Sequence, residues 1–448
     1  MIEILNDLSN PESVGNISFE LITEKPAKKK ELSLDDHEKK LERYQINKKS
    51  LFVFLSLAIL VDMFGFSLIL PLLPSIASDF GATAFIVGII IASNSLTALV
   101  FGPVWGSLSD KFGRKPILII NQIGTLFAFI LLATAQNIQM IIISRIVDGI
   151  FGGQFPIIRS IVSDVTTPES RTKDMGKVMG ISMLGMVIGP VIGGILGNIN
   201  WRIPAYLTAS LSIISIILSY FLLKESMPKK RREDLKIKRL QAKTQQKGKN
   251  SSIFNKAVVI RLFETFIFTT IFQVFISTSS LVMNYRYGSE PVEIGWLNAE
   301  FAIINILFIT TLLPILTKKF SNKQLLIAGV SLLGIAMIVY GFASAPWVLY
   351  VFFIIPFAGG AALMRPIVNT NLTKAVGEDQ QGQVSGWSTS IQSLAEIFTP
   401  LIATSFLNYE FISILGISIS SFWAVALLGV FFVVIMTIVI IYDNKTFS

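Results

Sequence analysis

Residues 102–116 read Gly-Pro-Val-Trp-Gly-Ser-Leu-Ser-Asp-Lys-Phe-Gly-Arg-Lys-Pro, a short basic turn between two long apolar runs. Charges and glycines packed into so few residues, with a helix-length of apolar sequence on either side, describe a loop at a membrane surface. Within it Gly106 is small enough to admit a neighbouring helix and Gly113 can take a positive φ. Asp110, Arg114 and Lys115 supply charge contacts.

The rest of the chain repeats that alternation. Of its 448 residues 52% are hydrophobic and 15% charged, against about 25% charged in a soluble domain. Apolar runs fall at about 50–74, 85–107, 116–135, 139–165, 175–198 and 203–223, then at about 259–284, 293–316, 324–342, 347–373, 383–407 and 421–442. At about 20 residues per crossing, the expectation is an all-α polytopic membrane protein with twelve helices in two sets of six.

Basic residues orient it. With the N-terminus inside, 32 Lys and Arg fall in the tails and even-numbered loops, and only Arg202 and Arg286 in the opposite loops. The positive-inside rule then makes both termini cytoplasmic. Residues 1–49 hold nine Lys/Arg and ten Asp/Glu and read as a hydrophilic cytoplasmic tail. The first long apolar run begins only near Leu51, so it is expected to remain as a helix rather than be cleaved as a signal. The expected organisation is therefore a tail (1–49), a six-helix bundle (50–223), a basic linker (224–258), a second bundle (259–442) and a short cytoplasmic tail (443–448). The stretch 224–256 carries twelve Lys/Arg against three Asp/Glu. It reads as a solvated linker against anionic headgroups, not as a nucleic-acid site.

The halves repeat one another. LSDKFGRKPILI at 108–119 aligns with LTKKFSNKQLLI at 316–327, and Gly152-Gly153 with Gly359-Gly360, which brings Arg159 and Arg365 within one position. This is an internal repeat. The second copy carries Lys318, Ser321 and Asn322 where the first has Asp110, Gly113 and Arg114.

Several chemistries are excluded. The chain has no cysteine, and its one histidine, His37, lies in the charged tail. Disulfides, thiolate sites, histidine triads and the usual zinc chemistry fall away. No metal, cofactor or enzymatic activity is expected.

The turn at 102–116 resembles the signature loop of the major facilitator superfamily. That resemblance implies the major facilitator fold, two pseudo-symmetric bundles around a central cavity. It also implies a latch in which Asp110, Arg114 and Asp164, with Gly106, Gly113 and Lys115, hold the halves together in the outward-facing state. GMVIGPVIGGILG at 185–197 is similar to the helix-five motif of facilitator antiporters, carried here by Gly185, Gly189, Pro190, Gly193 and Gly194. LVDMFGFSLILPLLP at 60–74, SRIVDGIFGG at 144–153 and QGQVSG at 381–386 resemble the twelve-helix drug:proton branch, the tetracycline/proton antiporters and their relatives. The likeness runs from residue 50 to 442.

Ionisable residues inside the apolar runs are the strongest functional signal, since each costs at least about 2.5–3.5 kcal/mol at mid-membrane. They are Asp62, Arg145, Asp148, Arg159, Glu300, Arg365 and Glu396. At about 1.5 Å per residue, Asp62 lies roughly 18 Å from the inner end of its helix, Asp148 roughly 14 Å from the outer end and Glu396 roughly 20 Å from the inner end. Facilitators bind substrate at that level. Asp62 or Asp148 is the expected proton carrier, with Arg145 as the route of indirect coupling. Static pairing of Asp148 with Arg145, and of Glu396 with Arg365, is the alternative. Phe66, Gln122, Gln154, Gln273, Asn305, Arg365, Gln392 and Glu396 are the expected substrate cavity, while Glu300 belongs to an outer vestibule or a pair and Glu264 to the interface.

The expected activity is proton-coupled export of a small amphipathic compound by a monomer in the plasma membrane. A symporter or uniporter of a sugar or metabolite, or a non-transporting receptor or scaffold, are the alternatives.

Overall fold

A single apolar segment in hydrocarbon can satisfy its backbone only as a helix, and the long apolar runs are helical. The computed structural model describes residues 48–234, 255–376, 380–414 and 417–447. The expected tail up to residue 47, with His37, and residues 235–254 of the basic linker lie outside the described residues.

In chain order the long helices are α1 (Leu51–Asp79), α2 (Ala84–Phe112), α3 (Arg114–Ala133) and α4 (Ile138–Val165). Next come α5 (Pro168–Ile199), α6 (Arg202–Phe221), α7 (Lys256–Tyr287), α8 (Pro291–Lys319), α9 (Asn322–Phe342) and α10 (Pro346–Lys374). The last are α11 (Gln381–Phe406) and α12 (Ser421–Phe447). Among the described residues eleven helices are long and apolar enough to cross a membrane. The one outside that set is α11, whose first half carries Gln381, Gln383, Ser385, Ser388 and Gln392. Its 26 residues still span about 39 Å at 1.5 Å per residue. Large exposed side chains such as Phe127, Phe221 and Phe342 give the bundle the apolar exterior that lipid requires.

Capping sets where the helices begin. Thr83 accepts from Ile86 N–H, Asn137 from Met140 N–H and Asn255 from Val258 N–H. Thr167 with Ser170, and Ser321 with Gln324, close capping boxes ahead of α5 and α9. These oxygens answer amides that the helix cannot pair internally. The two copies of the internal repeat turn differently at this point. Gly113, at φ +111°, is the single residue between α2 and α3. Its counterpart Ser321 has φ −70° and caps α9 instead, so the second copy needs no glycine.

Two features depart from the sequence reading. Residues Phe411–Ile414 and Ile417–Ser420 form an antiparallel hairpin between α11 and α12, with Phe411 opposite Ser420. In addition α4 breaks at Phe151–Gly153, where Trp105 Nε1 donates to the freed Ile150 carbonyl.

The packing is two-fold. In the first half α1 packs on α5 and α6, α3 on α6, and α4 on both α2 and α3. In the second, α7 packs on α11 and α12, α9 on α12, and α10 on both α8 and α9. Adding six to each helix of the first set reproduces the second. The halves meet along α5–α8 and α2–α11, two contacts that the same operation exchanges.

Small residues make those contacts possible. On α5, Gly185, Gly189 and Gly193 lie against α1, where Ser67 Oγ donates to the Gly185 carbonyl at 2.9 Å. Gly194 faces α8, and a Cβ there would stand 2.6 Å from the Pro291 oxygen and 2.9 Å from Val292 Cα. Gly295 of α8 abuts the Pro190 carbonyl in return. Across α2–α11, Gly88 lies under Pro400 and Thr404, and Phe85 N–H donates to Asn408 Oδ1 at 3.0 Å. Asn198 Nδ2 reaches Glu290 Oε2 at 3.0 Å. The contacts between the halves sit toward the end of the bundle remote from Arg114, Lys224 and Lys374, the basic end.

Gly106, by contrast, has open space where its Cβ would be, so the helix approach expected there is absent. The two glycines should therefore respond oppositely to alanine. Gly194→Ala is expected to cost about 1–3 kcal/mol through backbone overlap, read as a lowered unfolding midpoint in detergent. Gly106→Ala should leave the midpoint unchanged or raised.

Candidate functional site

Among the described residues, three groups of polar side chains bear on the expected site. The first surrounds Arg114 at the basic end. Its guanidinium pairs with Asp110 at 2.6 Å, with Asp164 at 3.1 Å and with Ser109 Oγ at 2.6 Å. The sequence did not reveal what completes this cluster. Glu225 accepts from the backbone N–H of Arg114 at 2.9 Å and of Lys115 at 3.1 Å, capping α3 across the Gly113 turn. Ser226 Oγ donates to Asp164 Oδ2, and Arg231 donates to the carbonyls of Ser226 and Asp164. A carboxylate suits the positive end of a helix, yet nothing in the local sequence marks a residue 111 positions away as the cap. The expected latch was to join the halves. These partners of Arg114 all lie in the first half or in the residues that follow it.

The second group lies at mid-membrane in the first half. Asp62 of α1 is half-buried. Its Oδ2 accepts from Gln122 Nε2 of α3 at 3.3 Å, and the same nitrogen reaches Ser215 Oγ of α6 at 2.8 Å. Gln122 Oε1 is buried with no partner. Nearby, Arg145 pairs with Asp148 at 3.3 Å, and Asn94 of α2 donates to the same carboxylate oxygen at 2.9 Å. The Arg145 guanidinium also lies 5.1 Å from the Phe129 ring centroid. Gly149 lets α2 approach closely at this point, since a Cβ there would overlap Asn94 and Thr97. Asp148 and Arg145 thus make the contact that the static-pair alternative requires.

The third group lies in the second half. Arg365 of α10 is exposed although it lies well inside the span, and its guanidinium is 4.6 Å from the Phe272 ring centroid and 5.9 Å from that of Phe268. Glu396 of α11 acts on it electrostatically without closing an ion pair within 4 Å.

Several of the other expected cavity residues bridge helices. Gln122 is buried between α1, α3 and α6 rather than facing a cavity. Gln154 donates to Thr125 Oγ1 at 2.9 Å, tying α4 to α3, and Asn305 donates to the Ala358 carbonyl at 3.0 Å, tying α8 to α10. Gln273 is buried. Gln392 donates to Ser388 Oγ within α11, and Phe66 is half-buried. An amide in a membrane helix marks an interior face, but only the fold decides whether that face meets a cavity or another helix. Glu264, expected at the interface, is fully buried and takes both oxygens to Arg261 Nη1, at 3.1 and 3.0 Å.

With this geometry in view, the family model described as Major Facilitator Superfamily matches residues 55–400 and, separately, 262–446. The chain is 28% identical over 365 residues to the class H tetracycline resistance protein of Pasteurella multocida, covering 81% of this chain and 90% of that one. It is 25% identical over 389 residues to multidrug resistance protein 2 of Bacillus subtilis, covering 84% and 95%. Among solved structures, a mutant of the nucleoside transporter NupG aligns at a TM-score of 0.70 with 13% identity, covering 88% of this chain and 99% of that one.

The buried Arg145–Asp148 pair carries a measurable consequence. Arg145→Met alone strands a carboxylate in apolar surroundings and should cost about 3–5 kcal/mol, while Arg145→Met with Asp148→Leu should cost less than the single change. A double-mutant cycle on reversible unfolding in mixed micelles measures both.

Proposed function

The chain belongs to the Major Facilitator Superfamily, and from that premise we propose that it exports small amphipathic, drug-like compounds in exchange for protons, by alternating access. Relatives named as tetracycline, multidrug and quinolone resistance proteins, the last being NorA of Staphylococcus aureus, support the choice of cargo. It is a multi-pass membrane protein, and we assign it to the plasma membrane as a monomer with both termini cytoplasmic. The bundles are 50–223 and 259–442, and the basic linker lies near anionic headgroups.

The observation that carries the coupling step is the neutral company of Asp62. Its hydrogen-bond partner is the Gln122 amide, itself bonded to the Ser215 hydroxyl. A proton can therefore arrive or leave without abandoning a buried cation. Asp148 lacks that freedom, because protonating it would strand Arg145. Gln122 also has an idle acceptor, its buried Oε1. If the amide turns over, that oxygen takes the hydrogen bond of a protonated Asp62, and α1, α3 and α6 sense the change together.

The pins between the halves lie opposite the basic end, so this conformation accepts substrate from the basic, cytoplasmic side. Asp62 then loads or releases its proton as the bundles rock. The brace around Arg114 keeps the first half rigid while it moves.

The test is substrate-driven proton movement in proteoliposomes under an imposed pH gradient, with Asp62→Asn beside the native chain. The carboxamide preserves size and hydrogen bonding but cannot exchange the proton. Proton flux is expected to fall at least tenfold in the variant, and flux equal to native would overturn the assignment.

A further inference from the structure

Among the described residues, and setting aside Arg202 and Arg286 at the helix ends remote from the basic end, the arginines of the spans divide into two kinds. Arg114, Arg145 and Arg261 each pair with a carboxylate within 4 Å. Arg159 of α4 and Arg365 of α10, which the internal repeat puts at nearly equivalent positions, have no such partner among the described residues. Each instead rests against phenylalanine, Arg159 at 5.5 Å from the Phe155 ring centroid and Arg365 at 4.6 Å from that of Phe272. An arginine inside a membrane protein with no carboxylate in ion-pair contact is costly, and Arg159 and Arg365 both keep exposed side chains, open to an anion supplied from outside the chain.

Arg365 has the more developed surroundings. It lies about 13 Å from the Lys374 end of its helix at 1.5 Å per residue, flanked by α7 and α11. Phe272 beneath it is the half-buried edge of an aromatic stack. Its ring is 6.0 Å from Phe357 with the planes 16° apart, 5.8 Å from Phe301 and 6.3 Å from Phe268. With no hydrogen bond or ion pair among the described residues beside its ring contacts, the Arg365 guanidinium keeps its planar N–H donors free for a bidentate carboxylate. Glu396 supplies a negative field without occupying those donors.

We propose that Arg365 is the anion-recognition point of the substrate site, and that the cargo includes planar aromatic acids bound with the carboxylate on Arg365 and the rings along Phe272 and Phe301. This rests on the exporter reading and narrows its substrate class. The site selects for a negative group on a flat apolar body. A lipophilic cation of the same shape would face Arg365 directly and be rejected.

Equilibrium binding tests this without any gradient, so it is independent of proton coupling. Purified full-length protein in nanodiscs is titrated with 2-naphthoate and with 2-naphthylmethylammonium, which differ mainly in the sign of their charge. The native chain should bind naphthoate at least tenfold more tightly than the ammonium probe. Arg365→Gln should lose at least tenfold for naphthoate, with Arg365→Lys between the two because it keeps the charge and loses the planar fork. Because no gradient is applied, failure of the coupling assignment would leave this result intact. Equal affinity for the two probes, no naphthoate binding by the native chain, or native-like naphthoate affinity in Arg365→Gln overturns the proposal. If Arg365→Gln does not fold, native-like affinity in Arg365→Lys does so.

Discussion

A charge in hydrocarbon must find a partner inside the protein or be given one, and the polar architecture of this chain follows from that constraint. Arg114 is shared between Asp110 and Asp164, Arg145 is held by Asp148, and Arg261 by both oxygens of Glu264. Each pair ties a helix to itself or to its neighbour at a place where lipid offers nothing. The functional hypotheses gather where this bookkeeping stays open: a carboxylate attended by an amide and a hydroxyl, and a guanidinium attended by aromatic rings.

The same medium removes the usual reward for helix association, because lipid tails are as apolar as leucine. Close backbone approach takes its place, and it is concentrated where movement is needed least in this conformation. The glycine ridge of α5 serves two neighbours at once, with Gly185, Gly189 and Gly193 on α1 and Gly194 on α8. One short motif thereby builds the first half and joins it to the second.

The two halves keep one packing plan while differing in chemistry. Gly113 and Ser321 solve the same turn by different means, a positive φ in one copy and a capping hydroxyl in the other. Only the first copy carries the Arg114 cluster, and only the first has the Asp62–Gln122–Ser215 group. The second concentrates its aromatic residues around Phe272, Phe357 and Arg365. A division of labour between proton handling and cargo binding is consistent with that asymmetry.

The sequence by itself determined the helices, nearly to their ends, because a long apolar run in a membrane has one backbone solution. It also displayed the internal repeat, the Gly113 turn and the candidate mid-membrane charges, since each is a local pattern or a costly exception to one. Tertiary structure decided which of those charges are satisfied. No spacing rule connects Asp62 to Gln122 and Ser215, or Arg114 to Glu225 over 111 positions, and none distinguishes an amide that lines a cavity from one such as Asn305 that ties two helices. Those outcomes depend on which faces of which helices meet, and that is set by the packing of the whole bundle rather than by any segment of it.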